Sequence, residues 1–259
     1  MIEKEIYIND LKTNYKVAGE GQPVLILHGW GGSSDSWVKV IEILTQNNFK
    51  VFCPDLPGFG KSNPPKFSWG VIDYVNWIKS FIDSLNLTDF YLISHSFGGQ
   101  IAVKFAILYP EKIKKIIFCA SAAIRPKPGL KTKIIYMVAK IGNAFFSPKY
   151  LARLKDGARN FFYIFLRNRD YVKANGTMKE IIKKVLAEDL LLELSKIKKE
   201  VLLIWGENDK LVPLKNAYIF KEKIENSKLV ILPKIGHSPH LETPEKLAEI
   251  ILKFFNQSS

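Results

Sequence analysis

Six short runs of almost unbroken apolar residues constrain this chain more than any other feature of its sequence. They are Val24–Leu27, Lys50–Cys53, Phe90–Ser94, Ile116–Ala120, Val201–Trp205 and Leu229–Leu232. A run such as Val24-Leu25-Ile26-Leu27, bounded by Pro23 and Gly29, offers no polar face to water. A strand built from it must be covered on both sides. Between the runs the apolar spacing changes to that of a helix. Val71, Val75, Ile78, Ile82 and Leu85 share one helical face. Ile101, Phe105 and Leu108 mark a second helix, and Leu247, Ile250, Ile251 and Phe254 the last. Ser68 is the expected N-cap of the first, and Thr243-Pro244-Glu245 signals the start of the last. Strands alternating with helices require a mostly parallel sheet with helices on both faces. Ile6-Tyr7-Ile8 and Asn14–Val17 read as a short antiparallel pair, which brings the expected sheet to eight strands.

The alternation breaks between Ser121 and Lys198, where helical periodicity and aromatic clusters such as Phe161-Phe162 continue without a convincing strand. The expected organisation is an α/β core of residues 1–121 and 199–259 carrying a helical insertion, 122–198. A chain of 259 residues suits such a core with one insertion. The net charge of +13 is concentrated in the same stretch: residues 125–198 hold 17 Lys+Arg and 6 Asp+Glu, and the remainder is nearly balanced. A charge of this size could suggest a nucleic-acid partner, but its confinement to one segment argues otherwise. It reads first as a solvated lysine-rich face and second as an attraction for anionic substrates. Peripheral membrane contact ranks below both. No run of 18 apolar residues is present, and Met1-Ile2-Glu3-Lys4-Glu5-Ile6 does not resemble a secretory leader. The expected location is the cytoplasm. Cys53 and Cys119 read as buried free thiols, and no histidine has a zinc-ligand spacing with them, so neither a metal nor an organic cofactor is expected.

Four loops that follow these strands carry the chemistry. Ser94-His95-Ser96-Phe97-Gly98-Gly99 stands between a strand and a helix. A sharp turn there lifts a serine hydroxyl above the sheet edge, and small residues are needed two positions to either side. Gly98 meets that need. Ser94 departs from the usual glycine but is also small. His28-Gly29-Trp30-Gly31-Gly32 follows Val24–Leu27 and can aim backbone N–H groups at a developing oxyanion. The donors are assigned to Trp30 and Phe97, with His28 and Gly29 supporting the loop. Trp205–Lys210 offers Asp209 as the carboxylate that orients a histidine, with Glu207 as rival. Gly236–Glu242 offers His237 as general base, with His240 as rival. Gly60-Lys61-Ser62 ends like a phosphate-binding loop, but Asp55 stands where that motif needs glycine and Asn63-Pro64-Pro65 blocks the following helix.

The order Ser96, Asp209, His237 along the chain is that of an α/β-hydrolase. On these residues, together with Asp55–Ser62, the sequence resembles the α/β-hydrolase superfamily over nearly its whole length. Within that superfamily it resembles the small bacterial serine hydrolases with a helical cap. The resemblance implies the α/β-hydrolase fold, a cap between the sixth and seventh core strands, and a Ser96–Asp209–His237 triad. It implies an esterase, or a hydrolase of carbon–carbon bonds of the meta-cleavage-product type, acting through an acyl-enzyme on a small acyl substrate, apolar or anionic. A non-hydrolytic ligand sensor on the same fold is the alternative from another class. Ser96 argues against relatives with an aspartate nucleophile. Ile134, Ile135, Met137, Val138, Phe145, Phe146 and Phe161–Phe165 are candidates for an apolar pocket. Either a monomer or a homodimer fits this reading.

Overall fold

The computed structural model describes residues 1–125 and 176–257, and elements are numbered along the chain over these residues. The strands are β1 (Ile2–Ile8), β2 (Leu11–Ala18), β3 (Gln22–Leu27), β4 (Phe49–Pro54), β5 (Phe90–His95), β6 (Ile113–Cys119), β7 (Glu200–Gly206) and β8 (Ser227–Leu232). They form one eight-stranded sheet in the order β1-β2-β4-β3-β5-β6-β7-β8. β2 is antiparallel to both β1 and β4, and every other pairing is parallel. The helices are α1 (Val38–Thr45), α2 (Val71–Ser84), α3 (Phe97–Leu108), α4 (Thr177–Ala187), α5 (Lys215–Lys223), the single turn α6 (Pro239–Glu242) and α7 (Pro244–Phe255).

Burial explains the apolar runs. Val24, Leu25, Ile26 and Leu27 are all fully buried. Leu25 and Leu27 join one core with side chains of α2, α3, α4 and α5. Val24 and Ile26 join a second core with side chains of α1 and α7. The same alternation divides Ile116 and Phe118 from Ile117 and Cys119, and Leu203 and Trp205 from Leu202 and Ile204. Each aliphatic side chain so enclosed contributes about 1.5–3 kcal/mol of transfer free energy.

Strand order positions the site. β4 lies on one side of β3 and β5 on the other, so the chain reverses its direction of travel across the sheet between these strands. In an open α/β sheet the crevice beyond the carboxyl ends at such a point is where ligands bind.

Two details differ from the sequence expectation. The N-cap of α2 is Gly70 rather than Ser68. The Asp73 carboxylate reaches back to accept the Gly70 N–H at 2.7 Å, whereas the Ser68 hydroxyl is buried without a hydrogen bond. Thr243 stands at the N-cap of α7, but its side chain makes no capping bond. The chain divides into two compact units, Met1–Ile124 with Asn175–Ser259, and Arg125–Ala174. Parts of the stretch 122–198 therefore belong to the first unit. Ala122, Ala123, Ile124, Ile181, Val185, Leu190, Leu194 and Ile197 are core residues. Gln100 Nε2–H donates to the Val185 carbonyl at 3.0 Å, and the Leu190 N–H donates to the Ala123 carbonyl at 2.9 Å. Helical spacing alone does not distinguish a helix packed on the core from one in an insertion. Residues 134–165, the apolar candidates named above, lie outside the described residues. No helix among the described residues is long and apolar enough to cross a membrane.

Candidate active site

Ser96 alone turns the chain from β5 into α3. Its backbone stands at φ 48°, ψ −114°, a conformation that an L-residue adopts at a cost of about 1–3 kcal/mol. Hydrogen bonds hold it there. The Ser96 N–H donates to Cys119 O at 3.3 Å, and Ser96 O accepts from the Gly99 and Ala122 N–H groups at 2.9 Å each. A β-carbon on Gly98 would collide with the Leu27 carbonyl and lie 2.8 Å from that of His28. Helix and strand backbones are too close at this point for any other residue. Ser94 is buried and donates its hydroxyl to Ile117 O at 3.3 Å, so serine fits where the wider pattern has glycine. Ser96 itself is half-buried. Phe97 is the first residue of α3, so its N–H has no acceptor within the helix and lies at the positive end of the helix dipole.

The loop after β3 is braced by His28, which is fully buried. Its Nε2 accepts the Leu56 N–H at 2.9 Å, which leaves Nδ1–H to donate to Gly29 O at 2.8 Å. Burial pushes its pKa below the usual histidine value. A turn closes behind it, from Gly32 N–H to Gly29 O at 3.1 Å. Trp30 packs edge-on against Phe59 at 4.8 Å and Phe97 at 5.4 Å between ring centroids. This aromatic wall joins the two residues assigned as oxyanion donors.

Phe59 comes from the loop that mimics a phosphate-binding loop. Its polar groups are engaged within the protein. The buried Asp55 accepts from Ser34 N–H at 2.7 Å, Asn14 Nδ2–H at 3.0 Å and Lys61 N–H at 2.9 Å. Lys61 Nζ pairs with Glu3 at 2.5 Å, and the Ser62 hydroxyl donates to Asp55 O at 2.7 Å.

Asp209 and His237 meet beyond the ends of β7 and β8. Asp209 Oδ2 accepts the His237 Nδ1–H at 2.8 Å. Asp209 Oδ1 accepts the Leu211 and Val212 N–H groups at 2.8 and 2.9 Å. The carboxylate side chain is fully buried, and its pairing with Nδ1 leaves Nε2 of His237 as the basic nitrogen. Both rivals have structural tasks. Glu207 Oε2 accepts the Lys234 N–H at 3.0 Å. His240 is 4% exposed and stacks on Trp37 with centroids 4.5 Å apart and planes 7° from parallel. Burial, with the neighbouring His237 and His28, pulls its pKa down to about 3.

Two residues the sequence reading did not use also serve this region. The Glu242 carboxylate accepts the Gly236 N–H at 2.7 Å and the Ser238 N–H at 3.0 Å, so it grips the chain on both sides of His237. Its place in α6, a few residues past the histidine, was the only signal. His95 is buried, and its Nε2–H donates to the His237 carbonyl at 2.8 Å. The His95 ring lies 4.8 Å from that of His237 and 4.5 Å from that of His240. Cys53 and Cys119 are free and buried, and burial raises both thiol pKa values. Among the described residues no cluster of three or more His, Cys, Asp or Glu side chains could hold a metal ion.

A doubly covered, mostly parallel sheet with a strained serine at its switch point and a paired carboxylate and imidazole beyond its later strands defines an α/β protein built for chemistry at one sheet edge. The sequence profile of the α/β hydrolase fold matches residues 22–244, and the chain belongs to that family. It is 31% identical to a pimeloyl-[acyl-carrier protein] methyl ester esterase of Wigglesworthia glossinidia brevipalpis, over 94% of this chain and 97% of the relative. It is 25% identical to a 2-hydroxy-6-oxo-6-(2'-aminophenyl)hexa-2,4-dienoic acid hydrolase of Metapseudomonas resinovorans, over 99% and 91%. Among solved structures, an esterase from Exiguobacterium antarcticum superimposes with a TM-score of 0.76 at 22% identity, over 99% of this chain and 100% of that one.

Proposed function

We propose that this protein is a serine hydrolase of carboxylic esters or related acyl compounds, with Ser96 as nucleophile, His237 as general base and Asp209 as the group that orients it. The observation that carries the reading is the Asp209–His237 hydrogen bond of 2.8 Å, on the same sheet edge as a serine held in a strained turn. In the proposed reaction Ser96 Oγ bonds to the substrate carbonyl carbon while its proton passes to His237 Nε2. The N–H groups of Trp30 and Phe97 receive the oxyanion. Collapse breaks the ester C–O bond, and His237 returns the proton to the leaving alcohol. Water then repeats the sequence and frees the acid.

Hydrolysis of p-nitrophenyl esters of graded chain length tests this. Turnover by the native protein and a fall of at least about 10³-fold in kcat for Ser96→Ala are expected. Equal turnover by both would remove Ser96 from the mechanism. No turnover of any acyl substrate would favour a ligand-binding role instead. The similarity to the dienoic acid hydrolase supports a second substrate class, a vinylogous diketone cleaved at a carbon–carbon bond. Loss of the dienoate absorbance on incubation with the protein is the discriminating assay. We further propose that the stretch after β6, where the excess positive charge lies, selects the substrate.

A further inference from the structure

We propose that His95 is a positioning residue, which locks the nucleophile turn, the histidine loop and the loop after β3 to one another through its hydrogen bond to His237 and its packing on Gly29. The inference rests on the roles proposed above for Ser96 and His237.

The geometry is specific. A carbonyl oxygen only accepts, so the 2.8 Å contact between His95 Nε2 and His237 O requires the proton on Nε2. The backbone of His237 is thereby fixed to the residue that precedes Ser96. Asp209 holds the ring of the same histidine, so His237 is restrained at both its ring and its main chain. On the other side, a β-carbon at Gly29 would lie 2.8 Å from His95 Nδ1 and 3.1 Å from Ser96 Cβ. The first glycine of the oxyanion loop thus rests directly on the His95 ring. One imidazole touches all three loops on which the reaction depends.

The groups facing His95 are His237 and His240 from the segment after β8 and His28 from the loop after β3. Burial, and repulsion by these three, hold the His95 pKa well below the ordinary histidine value. The ring therefore stays neutral, and its Nε2–H is a constant donor through the working pH range. A cationic ring here would oppose formation of the His237 imidazolium, the charge that the proposed mechanism must develop.

Three variants test the assignment. His95→Phe keeps the ring volume and the packing against His240 but removes the donor. His95→Gln places an amide N–H close to the position of Nε2, whereas the amide of His95→Asn reaches only as far as Nδ1. For His95→Phe, kcat for a p-nitrophenyl ester falls by about 10–100-fold, as expected of a displacement of the reacting groups of the order of 1 Å, while KM stays within about two-fold. His95→Gln restores kcat to within about five-fold of the native protein, and His95→Asn does not. A merely structural role would lower the amount of folded protein without producing this split or this order of rescue. An unchanged kcat for His95→Phe, or equal loss in the Gln and Phe variants, would overturn the proposal.

A second readout does not depend on turnover. Histidine ¹⁵N spectra of the native protein should show His95 as the Nε2–H tautomer and unprotonated from pH 5 to 9, and an Nδ1–H tautomer would also overturn it. If Ser96→Ala and the native protein turn over alike, the hydrolase reading fails, and these spectra still decide whether the His95 bond exists.

Discussion

At the scale of single residues, Asp209 divides its work between two oxygens. One is saturated by the Leu211 and Val212 N–H groups and fixes the carboxylate, and the other faces His237 Nδ1. Asp209→Asn keeps the first function, because its amide oxygen accepts the same backbone donors. It inverts the second, because an amide N–H facing His237 demands a lone pair on Nδ1 and moves the proton to Nε2. A base with its proton on the wrong nitrogen cannot accept one from Ser96. The expected outcome is a fall of about 10³–10⁴-fold in kcat with a thermal melting temperature within a few degrees of the native protein. A variant that melts normally and keeps full kcat would remove Asp209 from the proposed mechanism. The roles proposed for Ser96, Asp209 and His237 could be assigned from residue types along the chain, because each candidate follows a strand end and the three occur in a recognisable order. The tasks of His95 and Glu242 could not. Each depends on a main-chain contact, His95 with a carbonyl across 142 positions and Glu242 with two N–H groups six and four positions back, and a backbone donor or acceptor leaves no mark on the residue that supplies it.

At the scale of elements, the strands were legible because burial on both faces forces an apolar residue at nearly every position, and turn residues bound each run. What a strand's sequence does not carry is its neighbour, since any of these runs satisfies the pattern of any central place in the sheet. Helix starts were less legible. Ser68 has the right chemistry for a cap, yet the cap position falls to Gly70, which has no side chain to cap with and whose own N–H is accepted by the Asp73 carboxylate. The fit between α3 and the end of β3 is an element-level property that does yield a quantitative expectation. A methyl group at residue 98 would first strike backbone atoms, those of Leu27 at the end of central strand β3 and of His28 just beyond it, which cannot yield as a flexible side chain would. Gly98→Ala should destabilise the fold by about 1–3 kcal/mol, which for a chain of this size lowers the melting temperature by about 2–10 °C. On the proposed mechanism catalysis should suffer beyond the loss of folded protein, since any shift of α3 carries with it the Phe97 N–H assigned to the oxyanion. Calorimetry and kcat per folded molecule separate the two effects, and an unchanged melting temperature would contradict the close packing described here.

At the scale of the whole molecule, buried histidines make stability depend on acidity. His28, His95 and His240 are buried and have pKa values lowered chiefly by burial. In the unfolded chain each takes up a proton as pH falls through the ordinary value of 6.5, while the folded protein excludes it, in the case of His240 down to about pH 3. Between those two values the unfolded state binds more protons at His240, so stability is lost as pH falls, by about 1.4 kcal/mol per pH unit from this group, and His28 and His95 act in the same direction. Below pH 3 the contribution of His240 is exhausted. The native net charge of +13 adds self-repulsion in the same direction. His240→Phe isolates one of these contributions, because phenylalanine preserves the face-to-face stack on Trp37 and cannot titrate. Unfolding free energies from denaturant titrations at pH 7.5 and pH 5 should fall less in this variant than in the native protein, by about 2 kcal/mol. The interval lies above the range where carboxylates titrate, so the difference reports the histidine. Identical losses in the two proteins would mean that His240 is already protonated in the folded state at pH 5, and that the imidazole packed between Trp37 and His95 is not the neutral group inferred from its burial.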